Sequence, residues 1–251
     1  LWASASINFA NDAITRSDTV GVFGNRKYSY VNTDGNYLGW AYVGYGFKLT
    51  KIDLQMGIHA NVNVNHIKSF ITSPDGSGTM RTAANISDNN SYTVGMEFNY
   101  YKDKKYSISF EPSATYNNNK SNITTYTTDY WSSTNTLEGS VQLPLKFEVG
   151  STFEWFIRQK TAVFDRNNNV MLWKAYISKK FMKNSQLELR AYVFDILKQN
   201  LGYDRVVNNG ITTENTYNTI GQYGMLSLIW NFTKTPGGAP PAEGGMMMMR
   251  R

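Results

Sequence analysis

The chain contains no cysteine, only two histidines and six prolines among 251 residues. Without cysteine there is no disulfide framework and no thiolate metal site, and the redox compartment stays open. No stretch approaches the 18 consecutive apolar residues of a membrane-crossing helix. That absence leaves a barrel possible, because a barrel strand crosses with only about 9–11 alternating residues. Strong helix formers are sparse, whereas aromatics make up 14% of the chain, including 17 tyrosines, and the mean hydropathy is −0.43. A formal charge of +6 raises nucleic acid as a partner, but the lysines form no single stripe. Lys51, Lys102, Lys104, Lys105, Lys146, Lys179, Lys180 and Lys183 cluster in short breaks instead. They read first as solubilising turn chemistry and second as contacts to phosphate or lipid headgroups.

What is present is alternation. In GMLSLIWNF, Leu226, Leu228, Trp230 and Phe232 take every second position. The same period of two governs Tyr106, Ile108, Phe110, Ala114 and Tyr116, and also Leu54, Met56, Ile58, Ala60, Val62 and Val64. A helix would scatter these residues around its axis, whereas a strand puts them on one face. Ten strands are predicted, near 2–10, 36–50, 52–68, 91–103, 105–118, 123–146, 147–160, 170–181, 186–197 and 217–233. Short turns at 50–53, 103–105, 146–148 and 182–186 alternate with longer polar connections at 11–35, 69–90, 161–169 and 198–216 and a shorter one near 119–122. Strands joined by tight turns are antiparallel, and short turns on one rim with long loops on the other fit an outer-membrane barrel. Aromatics on the apolar face are expected near strand ends, at Trp2, Phe9, Tyr37, Phe47, Trp173, Phe181, Tyr223 and Phe232. A soluble sandwich would instead bury its aromatics at mid-strand. Pro144 lies just before a turn, while Pro112 falls inside a strand, where a bulge is the expected accommodation.

The fold class expected is therefore all-β, an antiparallel transmembrane barrel over 1–233, followed by a low-complexity tail at 234–251. The tail's four methionines read as disordered chain ahead of a soft-metal site. Leu1 is not an initiator methionine and no signal peptide precedes the first strand, which predicts a C-terminal piece of a longer protein.

The closing third resembles a known family. A lysine-rich turn follows W-x-A-x-I-S-K-x-F at Trp173 to Phe181, then V-F-D-I-L-x-Q-N at Val193 to Asn200, then Tyr223-Gly224-Met225-Leu226-Ser227. These are similar to the last strands of TonB-dependent receptors, most of all the outer-membrane barrel family abundant in Bacteroidota. The resemblance implies a 22-stranded barrel of which these are the last ten strands, located in the bacterial outer membrane. It implies uptake of a scarce small solute, with TonB reached through a plug domain that this chain does not contain. It also implies that Leu226, Leu228, Trp230 and Phe232 meet outer-membrane lipid and signal to the barrel assembly machinery. The alternatives weighed are a non-transporting structural or adhesive barrel and a passive porin.

Chemistry is weakly represented. His59 and His66 fall on opposite faces of one strand and cannot share a metal. Ser107, Ser109 and Asp53 sit on polar faces but define no triad, so no catalytic residue, metal or cofactor is assigned. The segment Asp165 to Asn169 lacks the order of a calcium loop and reads as a turn. Candidate ligand contacts are the aromatic-rich loops, with Tyr126, Tyr130, Trp131, Tyr203, Arg205 and Tyr217, whose rings and polar groups would suit a sugar or a planar chelate. The competing reading of these residues is an outer aromatic rim.

Overall fold

A computed structural model describes the chain except residues 103–104, 124–127, 162–168, 183, 201, 209–210 and 233–251, with backbone alone at 203–208 and 211–214. The candidate Tyr126 and the methionine-rich tail lie outside the described residues. So does most of the segment Asp165 to Asn169, of which Asn169 alone is described.

Ten long strands form one antiparallel meander: β1 (Trp2–Ala10), β4 (Asn36–Leu49), β5 (Leu54–Pro74), β6 (Met80–Lys102), β7 (Tyr106–Ser121), β8 (Thr128–Leu143), β9 (Phe147–Arg158), β10 (Val170–Phe181), β11 (Leu187–Phe194) and β14 (Tyr223–Trp230). Every strand expected from alternation is present. Two hairpins occupy stretches expected to be plain connections: β2 (Ala13–Val20) with β3 (Arg26–Thr33), and β12 (Tyr203–Asn208) with β13 (Ile211–Thr216). The expected connection at 69–90 is instead strand, because β5 and β6 stay paired out to Pro74 and Met80 around a tight turn. In that turn Asp75 accepts from the Ser77 and Thr79 amides, and Gly78 takes φ +82°, a conformation that favours glycine.

Register explains why one face is apolar throughout. Cross-strand partners keep parity along the row Leu49, Leu54, Tyr100, Ile108, Gly139, Ser151, Ala175, Val193 and Gly224. A slip of one residue in any pair would turn that strand inside out. The same row gives the stagger. The short-turn end of β6 lies two residues beyond the row, at Lys102; that of β8 lies four beyond, at Leu143; that of β10 lies six beyond, at Phe181. One residue of shift per strand, with a rise of ~3.3 Å and a spacing of ~4.8 Å, tilts the strands by about 35°, the tilt of a barrel wall.

Pro112 needs no bulge. Gly95 pairs with Ser113 and Phe98 with Phe110 in one unbroken register, and the ladder merely lapses between them. The other edge of Pro112, towards Asn135 on β8, stays paired, so the missing N–H faces β6 alone. Pro144 opens the turn rather than ending the strand. It begins a single 3-10 turn, Pro144–Lys146, whose Leu145 and Lys146 both take φ +60°.

Among the described residues β1 pairs only with β4, and β14 only with β11, so the meander has two edges. The β2–β3 hairpin stands at the long-loop rim. It continues the sheet beside β5 through a short parallel contact of Ser17–Thr19 with Phe70–Thr72. Its root is fastened by Asn36, which donates to the Thr33 carbonyl at 3.0 Å and accepts from the Lys68 amide at 2.8 Å.

Candidate functional site

The apolar face carries two aromatic belts. At the short-turn end lie Phe47, Tyr100, Tyr106, Phe147, Phe181 and Trp230, with Tyr100 and Tyr106 stacked at 5.7 Å. Towards the long-loop end lie Tyr37, Tyr92, Tyr116 and Trp131, with Tyr116 5.3 Å from Trp131 and 6.4 Å from Tyr92. On β7 the belts are Tyr106 and Tyr116, ten residues apart. At the tilt above this is ~27 Å of height, close to the ~25 Å apolar band of an outer-membrane barrel. Beyond the second belt the same face turns polar at Asn90, Asn118 and Asp129, and Asn118 donates to Asp129 at 2.6 Å.

Three expectations about the aromatics are corrected. Trp2 is on the polar face, its ring lying across Gly44 and Gly46. Tyr223 is also there, stacked on Phe194 at 4.6 Å. Between the belts Phe98, Phe110, Phe153 and Trp155 form a mid-height cluster, Phe110 stacking on Trp155 at 6.0 Å. Cross-strand ring contact favours such clustering wherever neighbouring strands supply rings at one height.

Along β5 to β8 the opposite face is polar between the levels of the two belts. Asn61, Asn63, Ser91, Thr93, Thr115, Asn117 and Ser132 meet in side-chain hydrogen bonds, such as Thr93 to Thr115 at 2.8 Å and Asn117 to Ser132 at 3.1 Å. His59 is on this face, stacked on Tyr42 at 6.0 Å and lying over Gly95, where a Cβ would collide with its ring. His66 is on the other face, as expected, stacked on Tyr37 and 2.6 Å from Asp88. Ser107 pairs with Ser140, Ser109 donates to Glu111 and Asp53 pairs with Lys48 in a turn, so these three residues converge on no common point. Near the short-turn end, Glu148 is 4% exposed and accepts from Tyr176 Oη at 2.7 Å and Lys180 Nζ at 3.2 Å. Arg190 bonds Glu188 at 2.7 Å and lies 4.5 Å over the Tyr176 ring, which itself covers Gly150. No local sequence pattern announces this network, because its members come from β9, β10 and β11.

The structure separates the sequence-predicted ligand residues. Tyr130 and Trp131 are adjacent on β8 and therefore point to opposite faces. Tyr130 stacks under the Arg158 guanidinium at 4.1 Å, while Trp131 joins the aromatic belt. Tyr203 and Arg205 lie on β12, and Tyr217 is an exposed residue just past β13 whose amide donates to the Gly202 carbonyl at 2.6 Å. Strands β9, β10 and β11 stand between β8 and the connection that carries this hairpin, a separation of ~19 Å along the wall. Trp131 thus fits the rim reading, while the side chains of Tyr203 and Arg205 lie outside the described residues. Leu226, Leu228, Trp230 and Phe232 are all exposed, the first three in register with Ala191, Leu189 and Leu187 on the apolar face.

Residues 41–230 match the model of the Outer membrane protein beta-barrel family. The chain belongs to that family. No curated protein and no solved structure matches it. As a bacterial outer-membrane barrel chain it turns its apolar face to lipid and its polar face to the lumen. Among the described residues no helix is long and apolar enough to cross a membrane. The long-loop rim of the barrel carries the β2–β3 hairpin, where Asp18 is clamped by Arg16 and Arg26, each at 2.8 Å. Burial alone would raise the Asp18 carboxyl, but the hydrogen bonds and charges of Arg26 and Arg16 outweigh it and hold the group below its ordinary value. A depressed carboxylate contributes stability above its unfolded-state pKa and loses it as pH falls through the folded one. Protection of residues 13–33 from hydrogen exchange, taken relative to the intrinsic rate, is therefore expected to fall selectively as pH drops below 3.8, and Asp18→Asn should lower it already at pH 7.

Proposed function

We propose that this barrel wall belongs to a TonB-dependent receptor that captures a scarce small solute at the long-loop rim and passes it through the lumen. The observation that carries the reading is the pair of sheet edges. In lipid each unpaired backbone group costs several kcal/mol, so the edges of β1 and β14 call for further pairing, as in a wall that is part of a larger barrel. Along β5 to β8 the lumen face is lined by asparagine, serine, threonine and glutamate, which suits hydrated passage or contact with a plug. The closing motif Tyr223-Gly224-Met225-Leu226-Ser227 and the hairpin-bearing outer connections support the same assignment. Its work is binding and translocation, with energy supplied from the inner membrane.

The test uses the full-length protein in planar bilayers, together with binding of the TonB periplasmic domain. The reading expects a channel that is closed at rest, saturable TonB binding, and conductance only after urea displaces the plug. Constitutive conductance without TonB binding would assign a porin instead. A closed barrel that neither binds TonB nor opens would assign a structural or adhesive role.

A further inference from the structure

The short-turn rim divides its cations by face. At the long-loop rim Arg16 and Arg26 pair with Asp18 and Arg81 pairs with Asp75, while Lys27 and Lys198 have no carboxylate partner among the described residues. At the short-turn rim the lumen-facing cations are paired as well: Lys48 with Asp53, Lys180 with Glu148, and Arg190 with Glu188. Two lipid-facing and two turn-tip lysines are not. Among the described residues Lys51, Lys102, Lys105 and Lys179 have no carboxylate partner.

These lysines sit in apolar surroundings. Lys179 faces lipid in the lower aromatic belt, its Nζ 4.5 Å from the centre of the Phe147 ring and 5.5 Å from that of Phe181. Lys102 is opposite Tyr106 in the same belt. The turns that carry or flank these lysines also expose large hydrophobes, Ile52 at 55%, Leu145 at 79% and Met182 at 53%. A rim that presents unpaired ammonium groups directly beside exposed apolar tips is matched by one environment, a layer in which phosphate and acyl chain lie within a few ångströms of each other.

We infer that the short-turn rim is a binding belt for anionic phospholipid, with the lysines on the headgroup phosphate and glycerol layer and Ile52, Leu145 and Met182 dipping beside them. The belt fixes the depth of the barrel against the leaflet on that side. The inference is independent of transport, and it commits to lipid rather than to a soluble anion, because a free phosphate would leave the three hydrophobic tips uncovered.

The full-length protein is reconstituted into vesicles of equal phosphatidylcholine and phosphatidylglycerol and extracted in mild detergent, and the retained lipid is counted. Each lysine near an anionic surface favours that surface by roughly fivefold. The wild type should therefore retain phosphatidylglycerol over phosphatidylcholine by about fivefold or more. The combined variant Lys102→Gln, Lys105→Gln, Lys179→Gln should fall to the input ratio, whereas arginine at the same three positions should keep the preference. Lys27→Gln with Lys198→Gln, on the opposite rim, should leave it unchanged. Heat-modifiable migration verifies that each variant folds, and single Lys179→Gln, with a partial loss, replaces the combined variant if it does not. Retention at the input ratio by the wild type, or an unchanged preference in the glutamine variants, would overturn the inference. So would displacement of the lipid by millimolar inorganic phosphate, which would assign a soluble-anion site.

Discussion

Val43→Arg is expected to cost the folded barrel about 2–4 kcal/mol, the penalty for a cation at the midplane of the lipid face. Val43 pairs with Ala3 and Ala60 midway between the two aromatic belts, and it is 45% exposed on the apolar face. Gln55→Arg, on the neighbouring strand and the opposite face, should change stability by less than about 0.5 kcal/mol, since an exposed polar site away from any network tolerates substitution. Reversible unfolding in urea from lipid vesicles measures both. The contrast separates the barrel from a water-soluble sheet: there an arginine at exposed Val43 would stay hydrated and cost almost nothing. Equal, small effects of the two substitutions would remove the lipid face from the account.

The second large effect is expected at Glu148. Glu148→Ala leaves Lys180 and Tyr176 Oη without their acceptor in a site that also holds the Arg190–Glu188 pair. Breaking a buried, hydrogen-bonded charge pair from one side costs about 3 kcal/mol, most of it the stranding of the partner. Glu148→Gln should lose less, because it keeps an acceptor for Tyr176. Adding Lys180→Met to Glu148→Ala should recover part of the loss, since the cation is then no longer stranded. A double-mutant cycle with no coupling between Glu148 and Lys180 would show the pair to be incidental.

The wall of the barrel was legible in the sequence because its two faces meet two different solvents. Along β5 and β7 alternation is nearly complete, and register then carries the pattern from strand to strand. The two hairpins β2–β3 and β12–β13 were not legible for the same reason inverted. They lie at the long-loop end, and segments such as AITRSDTV and RKYSYVNT have no apolar side to repeat. The turn chemistry at Gly24-Asn25, where Gly24 takes φ +76°, was the signal available for the first of them. Trp2 was assigned to the wrong face because Ala3, Ser4, Ala5 and Ser6 are too small to declare which side is oily; pairing with β4 decides it.

The candidate ligand residues are less legible than the fold. Composition singles out loops rich in aromatics, but a belt at the membrane boundary has the same composition, and Trp131 belongs to the belt. The Glu148 network and the divided cations of the short-turn rim depend on which lysine faces the lumen and which faces lipid. That follows from strand parity and register together, and neither is visible in the lysine count.

The most direct test exploits the absence of cysteine. Single cysteines placed one at a time from Ser91 to Phe98 on β6 in the full-length protein, labelled with an environment-sensitive fluorophore in vesicles, report the solvent at each position. The account predicts strict alternation. Tyr92, Val94, Met96 and Phe98 should be quenched by nitroxide-bearing lipid and refuse a membrane-impermeant maleimide. Ser91, Thr93 and Glu97 should escape lipid quenching, with Gly95 left unsubstituted because a Cβ there would meet the His59 ring. Quenching that ignores parity, or maleimide labelling of the even positions, would contradict a wall with lipid on one side and a wet lumen on the other.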